Sequence, residues 1–173
     1  IAVVAIVFLI LAGCNREPIT DFPAERIRSF QSAPADNFSW TLQLPTHAMH
    51  ESDDMGPVSE DEFIEKMRKF DWTLMIKRTR KLNGPSATFT LRHGGHDRYL
   101  AISPAHEPGR PEVLVFFLFW GVGLSADDPI FLPVDSIEKV ELLVAMFFDV
   151  EISQIDKIFE NDGLPVAAAF GPL

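Results

Sequence analysis

Alternating apolar and polar side chains along several segments of the chain predict a β-sheet. Residues 38–44 (FSWTLQL) alternate strictly, and residues 72–81 begin with the same period of two. Residues 88–91 alternate before Gly94-Gly95, a pair that favours a hairpin because glycine tolerates positive φ, and residues 99–102 (YLAI) form the predicted return strand. We therefore expect four strands in these segments, each with one buried face.

A fifth strand is predicted by an apolar run that does not alternate. Residues 113–120 (VLVFFLFW) are all apolar, which is typical of a strand covered on both faces and placed centrally in its sheet. Residues 46–58 are mostly polar, whereas residues 104–111 and 121–133 are rich in proline and glycine. These three segments are predicted to be loops.

Three segments have the spacing of amphipathic helices. The first follows Ser59, and Glu62 three residues later completes a capping-box signature. The second follows Asp135, with Glu138 at the matching position, and its residues are apolar almost all round, which predicts deep burial. The third is short and covers residues 152–159. The order of elements lacks βαβ alternation and predicts an α+β fold: a mainly antiparallel sheet of about five strands with helices packed on one face.

The beginning of the chain has the pattern of a targeting segment. The apolar run of residues 1–11 is shorter than the ~20 residues a membrane-spanning helix needs, but it has the length of a signal-peptide core. Leu11-Ala12-Gly13-Cys14 resembles the lipobox of bacterial lipoproteins. The resemblance implies that the chain is cut before Cys14, and that Cys14 carries a covalent lipid that tethers the protein to a membrane. Since neither Met nor a positive region precedes the apolar run, we expect the signal peptide to be truncated at its start.

The lipobox divides the chain into three expected parts. Residues 1–13 are the signal peptide, residues 14–36 are the lipidated cysteine with a flexible tether, and residues 37–173 are one globular domain. Asn15 rather than aspartate follows the cysteine, which in the sorting rule of enteric bacteria favours the outer membrane over the inner membrane. We expect a protein of the bacterial cell envelope that faces the periplasm. The chain has a single cysteine, so the domain has no thiol left for a disulfide or a nucleophile.

The charge of the chain is acidic and unevenly distributed. The formal net charge is −10 at pH 7, which argues against nucleic acid and anionic lipid as partners. Residues 51–65 contain seven acidic and no basic residues, and residues 113–173 contain ten acidic and two basic ones. Residues 66–112 contain ten basic and four acidic residues. We expect this basic middle segment to pair mainly with the acidic helices of the protein itself.

A non-enzymatic binding domain is the favoured interpretation, since the chain carries no catalytic signature. The acidic composition and the two C-terminal helices resemble, at the level of pattern, the immunity proteins of bacterial toxin systems, some of which are lipoproteins. The resemblance implies a basic protein partner, drawn to the acidic surfaces of residues 51–65 and 149–162. The candidate binding residues are Glu51, Asp53, Asp54, Glu60 and Asp61. No cofactor is expected apart from the lipid on Cys14.

Two histidine pairs support an alternative interpretation, a metal-binding or hydrolytic lipoprotein of the periplasm. His47 and His50 lie among carboxylates and methionines, and His93 and His96 flank Gly94-Gly95. Four imidazoles that converged in space would suit copper, nickel or zinc. The spacing is not that of a helical metalloprotease motif, and each pair is more typical of a solvated loop or hairpin turn than of a metal site.

Two further patterns carry less functional weight. The segment beginning at His93-Gly94-Gly95 resembles an oxyanion-hole segment of lipases, but the chain contains no Gly-x-Ser-x-Gly nucleophile elbow. Trp40, Trp72 and Trp120 are compatible with a ligand groove, but each lies in a predicted strand, where packing in the core is the commoner role.

Overall fold

The computed structural model of the protein describes residues 37–107, 110–122 and 130–165. The expected signal peptide, Cys14 and the tether lie outside the described residues, as does the end of the chain from residue 166.

One antiparallel sheet runs through the described chain. Its strands are β1 (Phe38–Gln43), β2 (Asp53–Pro57), β3 (Thr88–His93), β4 (His96–Glu107), β5 (Arg110–Val122), β6 (Ile130–Val134) and β7 (Leu164–Pro165). Their spatial order is β2-β1-β3-β4-β5-β6-β7, and all neighbouring strands are antiparallel. Six strands have five residues or more and β7 has two, so the predicted number of about five was too low.

Four helices are described, and they cover one face of this sheet. They are α1 (Glu60–Lys69), α2 (Trp72–Leu82), α3 (Ile137–Phe148) and α4 (Ile152–Asp162). Alternate residues of β1, β3, β4, β5 and β6 join the buried residues of these helices in a single hydrophobic core. The predicted α+β class, with the helices on one face, is therefore confirmed.

Aromatic rings fill much of the core. Trp40 stacks on Phe89 with ring centroids 5.0 Å apart, and Phe63 of α1 meets Trp40 edge-on at 5.6 Å. Trp72 and Trp120 belong to the same cluster, at 6% and 3% exposure. All three tryptophans are therefore core residues, as expected. Helix α3 is buried along most of its length, which confirms the prediction from its apolar composition.

The predicted strand over residues 72–81 is wrong, because these residues form helix α2. Asp71 caps the helix by accepting a hydrogen bond from the Leu74 amide at 2.9 Å, and Asn83 ends it in the left-handed conformation. The buried residues are Trp72 and Ile76, which are four apart and so lie on one helical face. Trp72 and Ile76 fit both the strand period and the helical period, whereas Leu74 fits only the strand period and is exposed in the helix.

Three segments predicted to be loops contain strands. Residues 46–58 include β2, residues 121–133 include most of β6, and the supposed loop 104–111 is where β4 and β5 extend towards each other. Pro104 has a paired strand on one side only, because β3 pairs with β4 as far as Ile102 while Pro104 pairs with Phe116 of β5, and proline is tolerated at such an edge. Pro133 lies in β6 beyond the two residues that pair with β7, for the same reason.

The caps of the helices were predicted with mixed success. Ser59 and Glu62 form the expected capping box at the start of α1. Helix α3, however, is capped by Ser136 and not by Asp135: the Ser136 hydroxyl accepts a hydrogen bond from the Lys139 amide at 3.4 Å. Asp135 instead forms an ion pair with the side chain of Lys139 at 2.8 Å.

Candidate functional site

The sheet has one face that none of the described helices covers, and we call it the outer face. Strand pairing places one row of side chains across it, from the acidic edge of the sheet to an aromatic end. The row consists of Asp54, Thr41, Thr90, Ala101, Phe119 and Phe131. Because directly opposite residues of neighbouring strands point to the same side, the outer face changes in character from charged, through hydroxyl-bearing, to aromatic.

The aromatic end of the outer face is built by β5 and β6. Phe131 lies between Phe117 and Phe119, with ring centroids 5.7 Å and 6.3 Å away. Phe117 and Phe119 are half-buried, whereas Phe131 is 3% exposed. Val115 and Pro133 extend this apolar surface and are also half-buried. We call these five residues the aromatic patch.

Tyr99 forms the border between the aromatic patch and the polar half of the outer face. It lies opposite Gly121, and a side chain at Gly121 would approach the Tyr99 hydroxyl to 2.5 Å, so the ring lies across the glycine. Burial raises the pKa of the Tyr99 phenol, and the charge of Arg92, opposite it on β3, acts the other way. The hydroxyl is therefore protonated at neutral pH and is able to donate a hydrogen bond at this border.

One polar atom of the Arg92 side chain is buried and makes no hydrogen bond within the described fold. Its Nε lies out of contact with solvent and has no hydrogen-bond partner among the described residues. Arg92 lies on the outer face, between Ser39 on β1 and Tyr99 on β4. A buried donor without a partner costs stability, so this position is the kind of place where a bound group supplies the missing acceptor.

On the opposite face, helix α4 is fastened to the sheet by a polar contact that the sequence analysis missed. Asp156 accepts a hydrogen bond from the indole of Trp120 at 2.8 Å and forms an ion pair with Arg98 at 3.2 Å. The Arg98 guanidinium also lies 5.5 Å from the Trp120 ring. This group holds α4 in place, and its side chains point away from the outer face.

The two histidine pairs lie at opposite ends of β1. His93 pairs with Phe38 at the first residue of β1, whereas His47 follows the last residue, Gln43, by four positions. The six residues of β1 separate the two ends by ~17 Å. The four imidazoles therefore do not form one site, and the described residues contain no group of three or more His, Cys, Asp or Glu side chains arranged to hold a metal.

Both pairs instead have local structural contacts. His47 Nδ1 accepts a hydrogen bond from the Leu44 amide at 3.1 Å, and His93 Nδ1 accepts one from the Gly95 amide at 3.0 Å. The His93 ring meets Phe38 edge-on at 4.6 Å, and burial together with the charge of His96 lowers the pKa of His93. The hairpin at Gly94-Gly95 is confirmed, but neither glycine has the positive φ on which the prediction relied.

The predicted acidic residues lie at one edge of the sheet, on and beside β2, and several serve the local backbone. Glu51 accepts a hydrogen bond from the Ala48 amide and Asp54 one from the Gly56 amide, both at 2.9 Å. Asp53 lies 3.5 Å from His47. The remaining two are Glu60 and Asp61, in the first turn of α1, where the helix dipole stabilises negative charge.

The expectation that the basic middle segment pairs with the protein's own acidic helices is wrong for helix α2. Arg68 of α1 does form an ion pair with Glu141 of α3 at 2.6 Å. The four cations of α2 are exposed, and no salt bridge to any of them is found among the described residues. They are Lys77, Arg78, Arg80 and Lys81.

Comparison of the chain with known proteins identifies no similar protein. The chain matches no protein-family model, no curated protein and no solved structure. Within the part of the chain that the structure describes, none of the helices has the length and apolar character needed to cross a membrane.

Proposed function

We propose that the protein is a lipid-anchored component of the bacterial cell envelope whose acidic α+β domain binds another protein without catalysing a reaction. The aromatic patch on the outer face of the sheet is the observation that carries this proposal. The lipobox-like Leu11-Ala12-Gly13-Cys14 supports the anchor, and with it a location on the periplasmic side of a membrane, with the outer membrane favoured.

The aromatic patch has the properties of the centre of a protein interface. Phenylalanine is enriched in such centres, and large apolar clusters next to polar residues on a protein surface commonly mark binding sites. The neighbouring Thr41, Thr90 and Tyr99 supply hydroxyl groups for a polar rim. Phe117 and Phe119 keep part of their surface available to a partner.

The acidic edge gives this surface a preference for basic partners. Asp54 begins the same row of side chains that ends in the aromatic patch, and Asp61, in the first turn of α1, is also exposed. Negative charge at the border of an interface accelerates association with a positively charged protein and makes the rate sensitive to salt. The proposed partner is therefore a basic protein, as in toxin and immunity pairs.

The proposal is tested by capture of envelope proteins with the tagged full chain and with variants of the patch. Phe119→Thr removes one ring and keeps a residue that suits a strand. We expect it to weaken binding of the captured protein roughly thirtyfold, as for a residue at the centre of an interface. Phe117→Thr should act in the same direction.

Gln154→Thr is the control, because Gln154 is exposed on α4, on the other side of the sheet from the aromatic patch. We expect this variant to bind within about threefold of the unmodified chain, since single exposed substitutions shift free energies little. Melting temperatures of all variants show whether the fold is kept. A partner that binds the Phe119→Thr and Gln154→Thr variants equally well would contradict the proposal.

A further inference from the structure

Helix α2 presents an exposed cationic surface in an otherwise acidic protein. Its 11 residues include four cations and no acid, and all four cations are exposed. Leu74 and Leu82 lie on the same exposed side and keep 38% and 50% of their surface accessible. We call these six residues the α2 surface.

The orientation of α2 is fixed by its buried side. Trp72 packs against Phe89 and Phe116 with centroid distances of 5.0 Å and 5.5 Å, and its indole donates a hydrogen bond to the Met67 carbonyl at 2.9 Å. Ile76, one turn later, is 6% exposed. At 100° per residue, Lys77, Arg78 and Lys81 lie on the half of the helix turned away from these two residues, whereas Arg80 lies one turn after Ile76, at the border of that half, and is exposed there. The α2 surface is therefore held outward by the core.

We infer that the α2 surface lies against an anionic phospholipid membrane, the one to which the proposed lipid anchor attaches. Each Lys or Arg near such a surface contributes attraction, and exposed leucines among them can enter the headgroup region. The surface is convex and formed by one helix, so it matches a plane better than it matches a groove. The net charge of −10 argues against contact of the whole surface with anionic lipid, but charges more than about 10 Å away are largely screened at 0.1 M salt, so the local charge of α2 decides at this surface.

The chain is long enough for the lipid anchor at Cys14 and the α2 surface to contact one membrane at the same time. The end of α2 lies by Pro45, since a side chain on Gly84 would be 2.1 Å from the Pro45 carbonyl oxygen. Asn37, where the domain begins, lies at the other end of β1, ~17 Å away by the rise of a strand. The 22 residues between Cys14 and Asn37 reach at most ~75 Å when extended. The anchor and α2 can therefore contact the same membrane.

This contact deepens the proposed function, because it rests on the membrane tether and would orient the domain at the bilayer. The test nevertheless avoids the lipid: the full chain carrying Cys14→Ser is mixed with phosphatidylcholine vesicles, with or without phosphatidylglycerol, and sedimented. We expect at least tenfold stronger partitioning into the anionic vesicles at about 0.1 M salt, and loss of the difference at about 1 M salt. The apolar residues 1–11 remain in this chain, but they should increase partitioning into both types of vesicle equally.

A set of neutral variants assigns the effect to α2. Lys77→Gln, Arg78→Gln, Arg80→Gln and Lys81→Gln together should abolish the preference for anionic vesicles. Lys81→Gln alone should reduce partitioning roughly fivefold. Lys157→Gln is the matched control, since Lys157 is an exposed lysine on α4, and it should leave partitioning unchanged.

Equal partitioning into both vesicle types, or an anionic preference that survives the fourfold variant, would overturn the inference. If α2 binds an acidic protein and not a membrane, partitioning into the two vesicle types should be equal. Protein binding through Phe117 and Phe119 is measured without vesicles, so failure of the lipid contact and failure of the proposed function are distinguishable.

Discussion

Phe119 on β5 lies directly opposite Phe131 on β6, with ring centroids 6.3 Å apart, on the face of the sheet that the described helices leave uncovered. The pair matters because the opposite face of the same strands already supplies the core, through Leu118, Trp120 and Leu132. Aromatic side chains on the outer face are therefore additional to what the core needs. This arrangement is the structural basis of the proposed binding surface.

Removing the carboxylate that fastens α4 should destabilise the fold. Asp156→Ala leaves the indole N–H of Trp120 and the guanidinium of Arg98 without their acceptor. We expect the free energy of unfolding to fall by about 1–3 kcal/mol, the cost of leaving a buried donor unsatisfied. Urea denaturation measures this change. Glu160→Ala, at an exposed position of the same helix, should change it by less than about 0.5 kcal/mol, and equal losses for both variants would contradict this role of Asp156.

The junction between α2 and β1 should not accept a side chain at Gly84. A Cβ atom there would lie 2.1 Å from the carbonyl oxygen of Pro45, and a backbone oxygen cannot move aside as a flexible side chain can. Gly84→Ala should therefore lower the free energy of unfolding by about 1–3 kcal/mol. For Gly94→Ala the nearest atom outside its immediate chain neighbours is 3.7 Å away, so this variant should unfold at nearly the same denaturant concentration as the unmodified protein. A larger effect at Gly94 than at Gly84 would show that the junction is packed differently.

Stability should depend on pH through His93. Its pKa is lowered in the folded protein by burial and by the charge of His96, so the unfolded chain takes up a proton at a higher pH than the folded one. The fold should then lose stability as the pH falls from the ordinary histidine value of 6.5 towards the lower folded value. His93→Gln should flatten this part of the curve, measured as unfolding midpoints from about pH 7.5 to about pH 5. Parallel curves for the variant and the unmodified protein would rule out the contribution of His93.

Elements with a strong local signal could be predicted from the sequence. The capping box at Ser59 and the deep burial of α3 needed only local chemistry and periodicity, and both are confirmed. Strands β2 and β6 could not be found in the same way. The sequence of β2 (DDMGP) has no apolar alternation, and it pairs with β1 as a strand, while Pro133 in β6 has a paired strand on one side only, since β7 pairs with Ile130 and Phe131 alone.

The candidate site depended on pairing that no local pattern specifies. The row from Asp54 to Phe131 joins residues of six strands, and its existence follows from register alone. The apolar run of residues 113–120 did carry a signal, since a strand with apolar residues at every position has two apolar faces. That pattern predicts a strand covered on both faces, whereas Phe117 and Phe119 lie on the side without a described helix and are half-buried. The contact of Trp120 with Asp156 spans 36 residues and had no sequence signal.

The most direct test of the proposed binding surface is photo-crosslinking in living cells. p-Benzoylphenylalanine is placed at position 119, where it replaces a phenylalanine, and separately at position 153, an exposed serine on α4. The account predicts that irradiation produces one discrete protein adduct from position 119 and none from position 153. The adduct should disappear when Phe117→Thr is added. No adduct at position 119, or the same adduct at both positions, would contradict the claim that the aromatic patch binds a protein partner.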